Sequence, residues 1–346
     1  MSAEPEVITR AQAGVGRVTL NRPAALNALT TGMCEAMIRA LLAWRADPAV
    51  RLVVIDHAGE RGFCAGGDIR MLAESGAGDG AAARRFFFTE YRLNELLFRY
   101  EKPVVAIMDG VTMGGGVGLS MPARYRVATE RTSFAMPETG IGLFPDVGGG
   151  WHLSRLPGQA GMWLALTGAR IRGADCLALG IATDFVESTK LDALKTTTDP
   201  ETVLTELESD PGPAPIAARR EDIDRLFSGD SVEAIFAALG ADPSEWAKAQ
   251  LETLQTKSPQ TLKVAFRQLR GGAHAASFAD EMGVEYRIGA RVVQRHDFLE
   301  GVRAVIVEKD NAPNWSPANL EEVTPAILEA IFAPLPASEE WTPLPD

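Results

Sequence analysis

The stretch KPVVAIMDGVTMGGGVGLS, residues 102–120, decides the fold. It begins with a β-branched, apolar run typical of a buried strand and ends in consecutive glycines that lead into a helical pattern. Two similar runs, LVVIDH (52–57) and YRVAT (125–129), precede and follow it, and helical patterns separate the runs. Strands that alternate with helices are joined by crossover connections. The pattern therefore predicts an α/β fold with largely parallel strands.

Consecutive glycines at a strand-to-helix junction have a chemical use besides packing. They let the backbone approach a ligand closely and leave N–H groups that point outward, and the helix dipole favours negative charge there. Two other segments combine glycine with carboxylates, FCAGGDIR (63–70) and FAMPETGIGLFPDVGGG (134–150). If two such junctions converge, backbone amides alone form an oxyanion hole. The alternative for each cluster is that the glycines only permit tight packing.

The two halves of the chain differ in their periodicity. Residues 5–57 predict strand, turn, strand, helix and strand, residues 74–83 predict a mobile loop, and residues 86–100 predict an amphipathic helix. From about residue 197, Pro-rich patches separate helical segments with few strand signals. We therefore predict a core of residues 1–196 and a helical C-terminal region of residues 197–346.

Composition excludes several classes of protein. The 346 residues suffice for roughly two domains, and their net charge of −12 disfavours a nucleic-acid partner because no basic stripe opposes it. The longest uncharged runs have 14 residues, too few to span a bilayer, so we expect no membrane partner. Three widely spaced cysteines without a Cys-x-x-Cys motif indicate reduced thiols in a cytoplasmic protein.

Common catalytic motifs are missing. The sequence has no G-x-S-x-G serine elbow and no G-x-x-x-x-G-K-[ST] phosphate loop. The four histidines lie far apart, without an H-x-x-x-H pair that could bind a metal from one helix face, so we predict no metal site. Glycine and carboxylate remain as the candidate chemistry.

Several blocks resemble the crotonase superfamily, also called enoyl-CoA hydratase/isomerase. LNRPAALNAL (20–29), FCAGGDI (63–69), the opening stretch and PETGIGLFPDVGG (137–149) stand in the order and spacing of that family's blocks. TEYRLN (89–94) and DFLEGVRAVIVEKDNAPNW (297–315) are similar to its hydrolase subgroup. The resemblance implies a crotonase-like spiral of stacked ββα turns, followed by a helical C-terminal region.

The resemblance also implies a binding site for a CoA thioester. The oxyanion hole corresponds to the N–H groups of Gly67, in the A-G-x-D block, and Gly115, in the middle of the GGG. The positions that correspond to CoA-contacting residues of the family are Ala25, Ala65, Asp68 and Ile69.

Carboxylates decide the reaction class. Hydratases of the family carry a second glutamate three residues after the oxyanion glycine, and here that position is Gly118. Glu138 matches the catalytic glutamate, as nucleophile or as general base, and Asp146 matches a second carboxylate of the hydrolase subgroup. Glu90 matches a substrate-contacting position. The alternatives are an exposed loop acid for Glu138, a helix N-cap for Asp146 and a solvated helix residue for Glu90.

The implied activity is hydrolysis of a short 3-hydroxyacyl-CoA thioester. We expect 3-hydroxyisobutyryl-CoA to give 3-hydroxyisobutyrate and CoA, a step of valine degradation, with CoA as part of the substrate and no separate cofactor. The family further implies a homo-oligomer, a trimer or hexamer. The alternatives are an enoyl-CoA hydratase or isomerase, and a binding protein of the same fold without catalysis.

Overall fold

Ten strands form two sheets within residues 4–345, the part of the chain that this computed structural model describes. In chain order they are β1 (Val7–Gln12), β2 (Val15–Leu20), β3 (Leu52–His57), β4 (Gly62–Cys64), β5 (Val104–Met108), β6 (Val111–Met113), β7 (Tyr125–Ala128), β8 (Ser133–Ala135), β9 (Ile171–Arg172) and β10 (Asp184–Phe185).

The strand order confirms the predicted parallel α/β architecture. The larger sheet has the order β1-β2-β3-β5-β7-β10 and the smaller sheet the order β4-β6-β8-β9. Only β1 with β2, and β8 with β9, pair antiparallel. The β1–β2 hairpin turns at Ala13 and Gly14, whose φ angles are 50° and 87°. The other neighbours are parallel, as crossover connections require.

Both faces of the larger sheet are buried. Val53 and Ile55 of β3 pack in the core shared with the helices, whereas Leu52 and Val54 point to a second apolar cluster on the opposite face. Burying each such side chain contributes about 1.5–3 kcal/mol to folding. This two-sided burial explains why LVVIDH is apolar without alternation.

Helices cover the sheets and form the second half of the chain. They are α1 (Thr31–Ala46), α2 (Ile69–Gly76), α3 (Ala81–Phe98), α4 (Gly115–Ser120), α5 (Gly149–Leu153), α6 (Ala160–Thr167), α7 (Gly173–Ala178), α8 (Pro200–Leu207), α9 (Arg220–Leu226), α10 (Val232–Ala241), α11 (Glu245–Gln255), α12 (Pro259–Gly272), α13 (Phe278–Val292), α14 (His296–Val302) and α15 (Pro325–Phe332). In the described part of the chain, four short 3₁₀ helices span Pro23–Ala25, Glu138–Ile141, Ser188–Ala193 and Pro215–Arg219, and a π-helical turn spans Arg303–Val307.

The predicted loop at residues 74–83 is wrong at both ends. Helix α2 continues to Gly76 and α3 begins at Ala81, so only residues 77–80 connect them. Side chains satisfy the first amides of α3, since Asp79 of the connection accepts from the Ala81 N–H at 2.9 Å and Ser75, near the end of α2, accepts from the Ala83 N–H at 3.0 Å. The glycine-rich composition of this segment concealed the three alanines, which favour helix.

The C-terminal helices share a core with the first half. Beyond Pro200 the described elements are helical, and Leu262, Phe278 and Phe298 belong to the same buried cluster as the sheet residue Val53. The division of the chain at residue 197 stays a prediction. No helix in the described part of the chain is long and apolar enough to cross a membrane.

Candidate active site

Two glycine-rich junctions meet where β4 and β6 end. The two strands are parallel neighbours, so the turns that follow them lie at one edge of the smaller sheet. Gly66 and Gly114 have φ angles of 114° and 46°, which L side chains rarely adopt. A Cβ atom placed on Gly114 would lie 3.1 Å from the Gly66 Cα, and one on Gly66 would lie 3.8 Å from the Gly115 nitrogen. Glycine at these positions lets the two turns touch.

Gly67 and Gly115 line the same cavity, and their amides have no acceptor in the described chain. Gly67 pairs with Leu29 in an isolated parallel β-bridge. The hydrogen bonds of this bridge run from the Leu29 N–H to Gly66 O and from the Asp68 N–H to Leu29 O, so they do not use the Gly67 N–H. Gly115 is the first residue of α4, where a helix has no internal acceptor for its N–H. Within residues 4–345, neither amide donates a hydrogen bond to another residue. Both glycines line a cavity of about 510 Å³.

Three carboxyl groups line the cavity together with these glycines. Glu90, Glu138 and Asp146 line the same cavity and are 1%, 6% and 5% exposed. A Cβ placed on Gly115 would lie 2.6 Å from Glu90 Oε1, and one on Gly114 would lie 3.3 Å from Glu138 Oε1. Two of the three carboxyls therefore touch the glycine turns.

Burial perturbs all three acids. Loss of solvent raises the pKa of Glu90 and of Glu138 well above the ordinary range, and the charge of Asp146 raises both further. Burial also raises the pKa of Asp146, to about 7, although the Tyr91 hydroxyl donates to its Oδ2 at 2.9 Å and opposes the rise. Because the charge of Asp146 raises the pKa of Glu90 and of Glu138, ionisation of one carboxyl opposes that of its neighbours, and a proton on Asp146 favours the Glu138 carboxylate.

Each alternative interpretation of these acids is wrong. Glu138 is a buried residue at the start of its 3₁₀ helix, and Glu90 is a buried residue of α3. The N-cap of α5 is Gly148, and the Asp146 carboxylate accepts from Tyr91 instead of from the helix. Glu90 Oε1 and Glu138 Oε2 are buried without a hydrogen-bond partner in the described chain. Such atoms are available to a substrate that brings its own polar groups.

Gly118 leaves no room for a further carboxylate. A Cβ atom there would lie 2.6 Å from Asn94 Nδ2 and 2.7 Å from Val147 Cβ. Asn94 lies one helical turn after Glu90 on α3, so the two side chains cover Gly118 and Gly115 of α4. The second glutamate expected of a hydratase is absent, and a neighbouring helix fills its space.

This packing predicts that Gly118→Ala destabilises the protein. Because the new methyl group overlaps Asn94 and Val147, we expect a loss of about 1–3 kcal/mol in the free energy of unfolding, measured by urea titration. The control is Gly283→Ala on α13, where a Cβ meets nothing within 4 Å. Alanine stabilises a helix relative to glycine, so the control should gain stability. Equal stability of Gly118→Ala and the wild type would contradict the packing described here.

Two of the predicted CoA-contacting residues lie at the cavity and two do not. Ala65 and Ile69 line it. Asp68 instead caps α2 by accepting from the Met71 N–H at 3.3 Å, and it pairs with Arg22 at 2.9 Å. Ala25 is a half-buried residue at the end of the first 3₁₀ helix and does not line the cavity.

Sequence reasoning missed one wall of the cavity. Residues of the C-terminal region complete it, namely Thr256, Lys257, Val305, Ile306, Asn311 and Pro313. The available signal was the block at 297–315, which resembles the hydrolase subgroup and contains the last four of them. Within residues 4–345, no three or more His, Cys, Asp or Glu side chains are arranged so that they could hold a metal ion.

Comparisons with known proteins agree on the family. The family model for enoyl-CoA hydratase/isomerase matches residues 15–332. The chain is 46% identical to "3-hydroxyisobutyryl-CoA hydrolase, mitochondrial" of Xenopus laevis, over 92% of this chain and 86% of that protein. It is 43% identical to the Homo sapiens protein of the same name, over 97% of this chain and 91% of that protein. The relatives' names place them in mitochondria, and a cytoplasmic location and a homo-oligomer stay predictions for this chain.

Solved structures agree on the fold. The crystal structure of a carnitinyl-CoA dehydratase from Mycobacterium thermoresistibile is 43% identical, with a TM-score of 0.93 over 98% of this chain and 99% of that one. An enoyl-CoA hydratase from Rhodobacter sphaeroides 2.4.1 is 40% identical, with a TM-score of 0.89 over 98% of this chain and 100% of that one. These matches confirm the predicted crotonase-like fold, and the chain belongs to the enoyl-CoA hydratase/isomerase family.

Proposed function

We propose that this chain hydrolyses 3-hydroxyisobutyryl-CoA to 3-hydroxyisobutyrate and CoA. The observation that carries the proposal is that buried Glu138 and Asp146 line one cavity together with Gly67 and Gly115. The name shared by relatives 41–46% identical over most of the chain supports the same substrate and reaction. Degradation of valine is the pathway that this substrate implies.

The geometry supports a mechanism with two steps. The thioester oxygen accepts from the N–H groups of Gly67 and Gly115, which stabilise the oxyanion. The Glu138 carboxylate attacks the carbonyl carbon, the carbon–sulfur bond breaks, and the CoA thiolate takes a proton from Asp146. Water then attacks the mixed anhydride and gives a proton to the Asp146 carboxylate. This step releases the hydroxy acid and restores the Glu138 carboxylate and the protonated Asp146. In the alternative, Glu138 removes a proton from the attacking water. An Asp146 pKa of about 7 suits either proton transfer at neutral pH.

Hydration of an enoyl-CoA is the second candidate, because two similar solved structures are described as a dehydratase and a hydratase. Against it stands Gly118, since α4 carries no carboxylate there and Asn94 occupies the space. The test is a panel of short acyl-CoA esters in which released CoA thiol and loss of the crotonyl-CoA double bond are both measured. We expect fastest turnover by thiol release from 3-hydroxyisobutyryl-CoA, with 3-hydroxypropionyl-CoA as a related substrate. Faster hydration of crotonyl-CoA than hydrolysis of any ester would favour the hydratase.

Lys257 and Arg170 are candidates to bind the anionic phosphates of CoA. Both line the cavity, and neither side chain makes a hydrogen bond or ion pair with another residue in the described chain. A Cβ placed on Gly140 would lie 3.3 Å from Lys257 Nζ. Burial lowers the pKa of Lys257, and an anion beside it would favour the charged form.

We predict that Lys257→Ala raises KM for the acyl-CoA substrate by roughly tenfold or more while kcat changes little, because a lost charged hydrogen bond costs about 1.5–3 kcal/mol. The control is Lys248→Ala, which removes a lysine that is exposed and pairs with Glu245 on α11. A truncated substrate, the N-acetylcysteamine thioester, lacks the phosphates and should be insensitive to Lys257→Ala. An unchanged KM for the CoA ester would remove Lys257 from substrate binding.

A further inference from the structure

The turn that carries Asp146 is held by two C-terminal helices. Glu285 of α13 accepts a hydrogen bond from the Gly148 N–H at 2.8 Å and one from the Gly150 N–H at 3.0 Å. Gln268 of α12 donates from Nε2 to Pro145 O at 2.8 Å and to Glu285 Oε1 at 3.0 Å. All of these contacts are buried. Two side chains from sequence more than 115 residues away therefore bind three backbone groups of one short turn.

This turn needs external support. Val147 has a φ angle of 55° and Gly148 one of 88°, so two successive residues lie in the left-handed region. A β-branched residue in that region is strained, and such strain persists only where the surroundings impose it. The bonds to Glu285 and Gln268 lie on both sides of Val147 and supply that constraint.

The same helix supports the other partner of Asp146. Tyr91 donates to Asp146 Oδ2 at 2.9 Å, and Gly289 of α13 lies so close that a Cβ there would be 3.4 Å from the Tyr91 hydroxyl. Helix α13 thus contacts both the turn before α5 and the tyrosine that orients the carboxyl. Glu285 is fully buried and does not line the cavity, so it does not touch a substrate there.

We propose that Glu285 is a positioning residue, which holds the turn of residues 145–150 so that the Asp146 carboxyl faces the thioester. The inference rests on the proposed catalytic role of Asp146. A carboxylate suits this role because its two oxygens accept from two amides at once, whereas the NH₂ of a glutamine would face one of those amides. The C-terminal region then contributes to catalysis through backbone geometry as well as through the cavity wall.

The test is Glu285→Gln in the full-length protein, with Glu281→Gln as its matched control. Glu281 is a buried carboxyl one helical turn earlier on α13 that lies beside Gly150 and Gln268, but it accepts no hydrogen bond from the amides of the turn. We expect Glu285→Gln to lower kcat for thiol release from 3-hydroxyisobutyryl-CoA by about 10- to 100-fold, because small misplacement of a catalytic group has effects of that size. KM should stay near the wild-type value, since no cavity residue changes. Glu281→Gln should keep the wild-type kcat.

Hydrogen–deuterium exchange of the peptide that contains Gly148 and Gly150 is the second measurement. These amides should exchange faster in Glu285→Gln than in the wild type, and the peptide should be unaffected in Glu281→Gln. An unchanged kcat in folded Glu285→Gln would overturn the proposal, and so would an equal loss of kcat in both variants.

If Glu285→Gln does not fold, Gln268→Met removes the donors to Pro145 and Glu285 at similar side-chain size. It should lower kcat and speed exchange in the same peptide, and wild-type behaviour in both would overturn the proposal.

The exchange measurement separates this proposal from the proposed function. If the wild type releases no thiol from the ester, the hydrolase assignment fails. Faster exchange in Glu285→Gln would then still show that Glu285 holds the turn. If the wild type hydrolyses the ester and Glu285→Gln retains its kcat, only the positioning role fails.

Discussion

Glu138→Gln is expected to lower kcat for thioester hydrolysis by on the order of 10³- to 10⁴-fold, with little change in CoA binding. Glutamine keeps the size of the side chain but can neither attack the carbonyl as a carboxylate nor accept a proton from water. Glu138 lines the cavity and lies beside Gly114, so its loss acts on the chemical step. The measurement is steady-state thiol release together with the dissociation constant for CoA.

Two controls accompany this prediction. Glu101→Gln replaces an exposed glutamate after α3 and should behave as the wild type. The thermal transition of Glu138→Gln shows whether the variant folds. A folded Glu138→Gln protein with wild-type kcat would remove Glu138 from the mechanism.

Labelling with oxygen-18 distinguishes the two roles proposed for Glu138, nucleophile and general base. After single turnovers in water labelled with oxygen-18, label in the Glu138 side chain would show that an anhydride formed and that water attacked its glutamyl carbon. Mass spectrometry of the peptide around residues 137–143 is the measurement.

Short-range signals in the sequence predicted the part of the site that consecutive residues form. Composition indicated the glycine clusters as strand-to-helix junctions, and the resemblance to the crotonase superfamily selected Gly67 and Gly115 within them. The resemblance also selected Glu138, which follows β8 by three residues. A parallel sheet then brings such strand ends to a common edge.

The rest of the site depends on contacts between distant segments, for which one sequence has no local signal. Glu285 and Gln268 act on Gly148 and Pro145 across intervals of 137 and 123 residues. Glu285 belongs to an amphipathic helix pattern, so its sequence context does not distinguish it from a solvated glutamate. For the same reason, the N-cap interpretation of Asp146 could be decided only once Tyr91 was seen to donate to it.

Recognition of the substrate hydroxyl is expected to have the second large effect on activity. The value of kcat/KM for 3-hydroxyisobutyryl-CoA should exceed that for isobutyryl-CoA by up to about 10⁴-fold, because a site built to bond a hydroxyl rejects the analogue that lacks it. The candidate partners are Glu90, Glu138 and Asp146. Oε1 of Glu90 and Oε2 of Glu138 are buried and unpartnered in the described chain, and the deoxy ester would leave them so.

The apolar walls of the cavity cannot give a preference of that size. Leu72, Phe86, Phe87 and Met113 line the cavity with apolar surface, which offers no hydrogen bond that would distinguish the two esters. A single methylene changes specificity by only about 10- to 200-fold. Glu90→Ala is the informative variant, because Glu90 lies in the cavity but is not the proposed nucleophile or proton donor. If Glu90 bonds the hydroxyl, this variant should lose activity mainly on the hydroxy ester, and the ratio of the two kcat/KM values should fall. Equal kcat/KM values for the two esters in the wild type would instead mean that the carboxyls serve the thioester alone, and the substrate would then be defined by the size of its acyl chain.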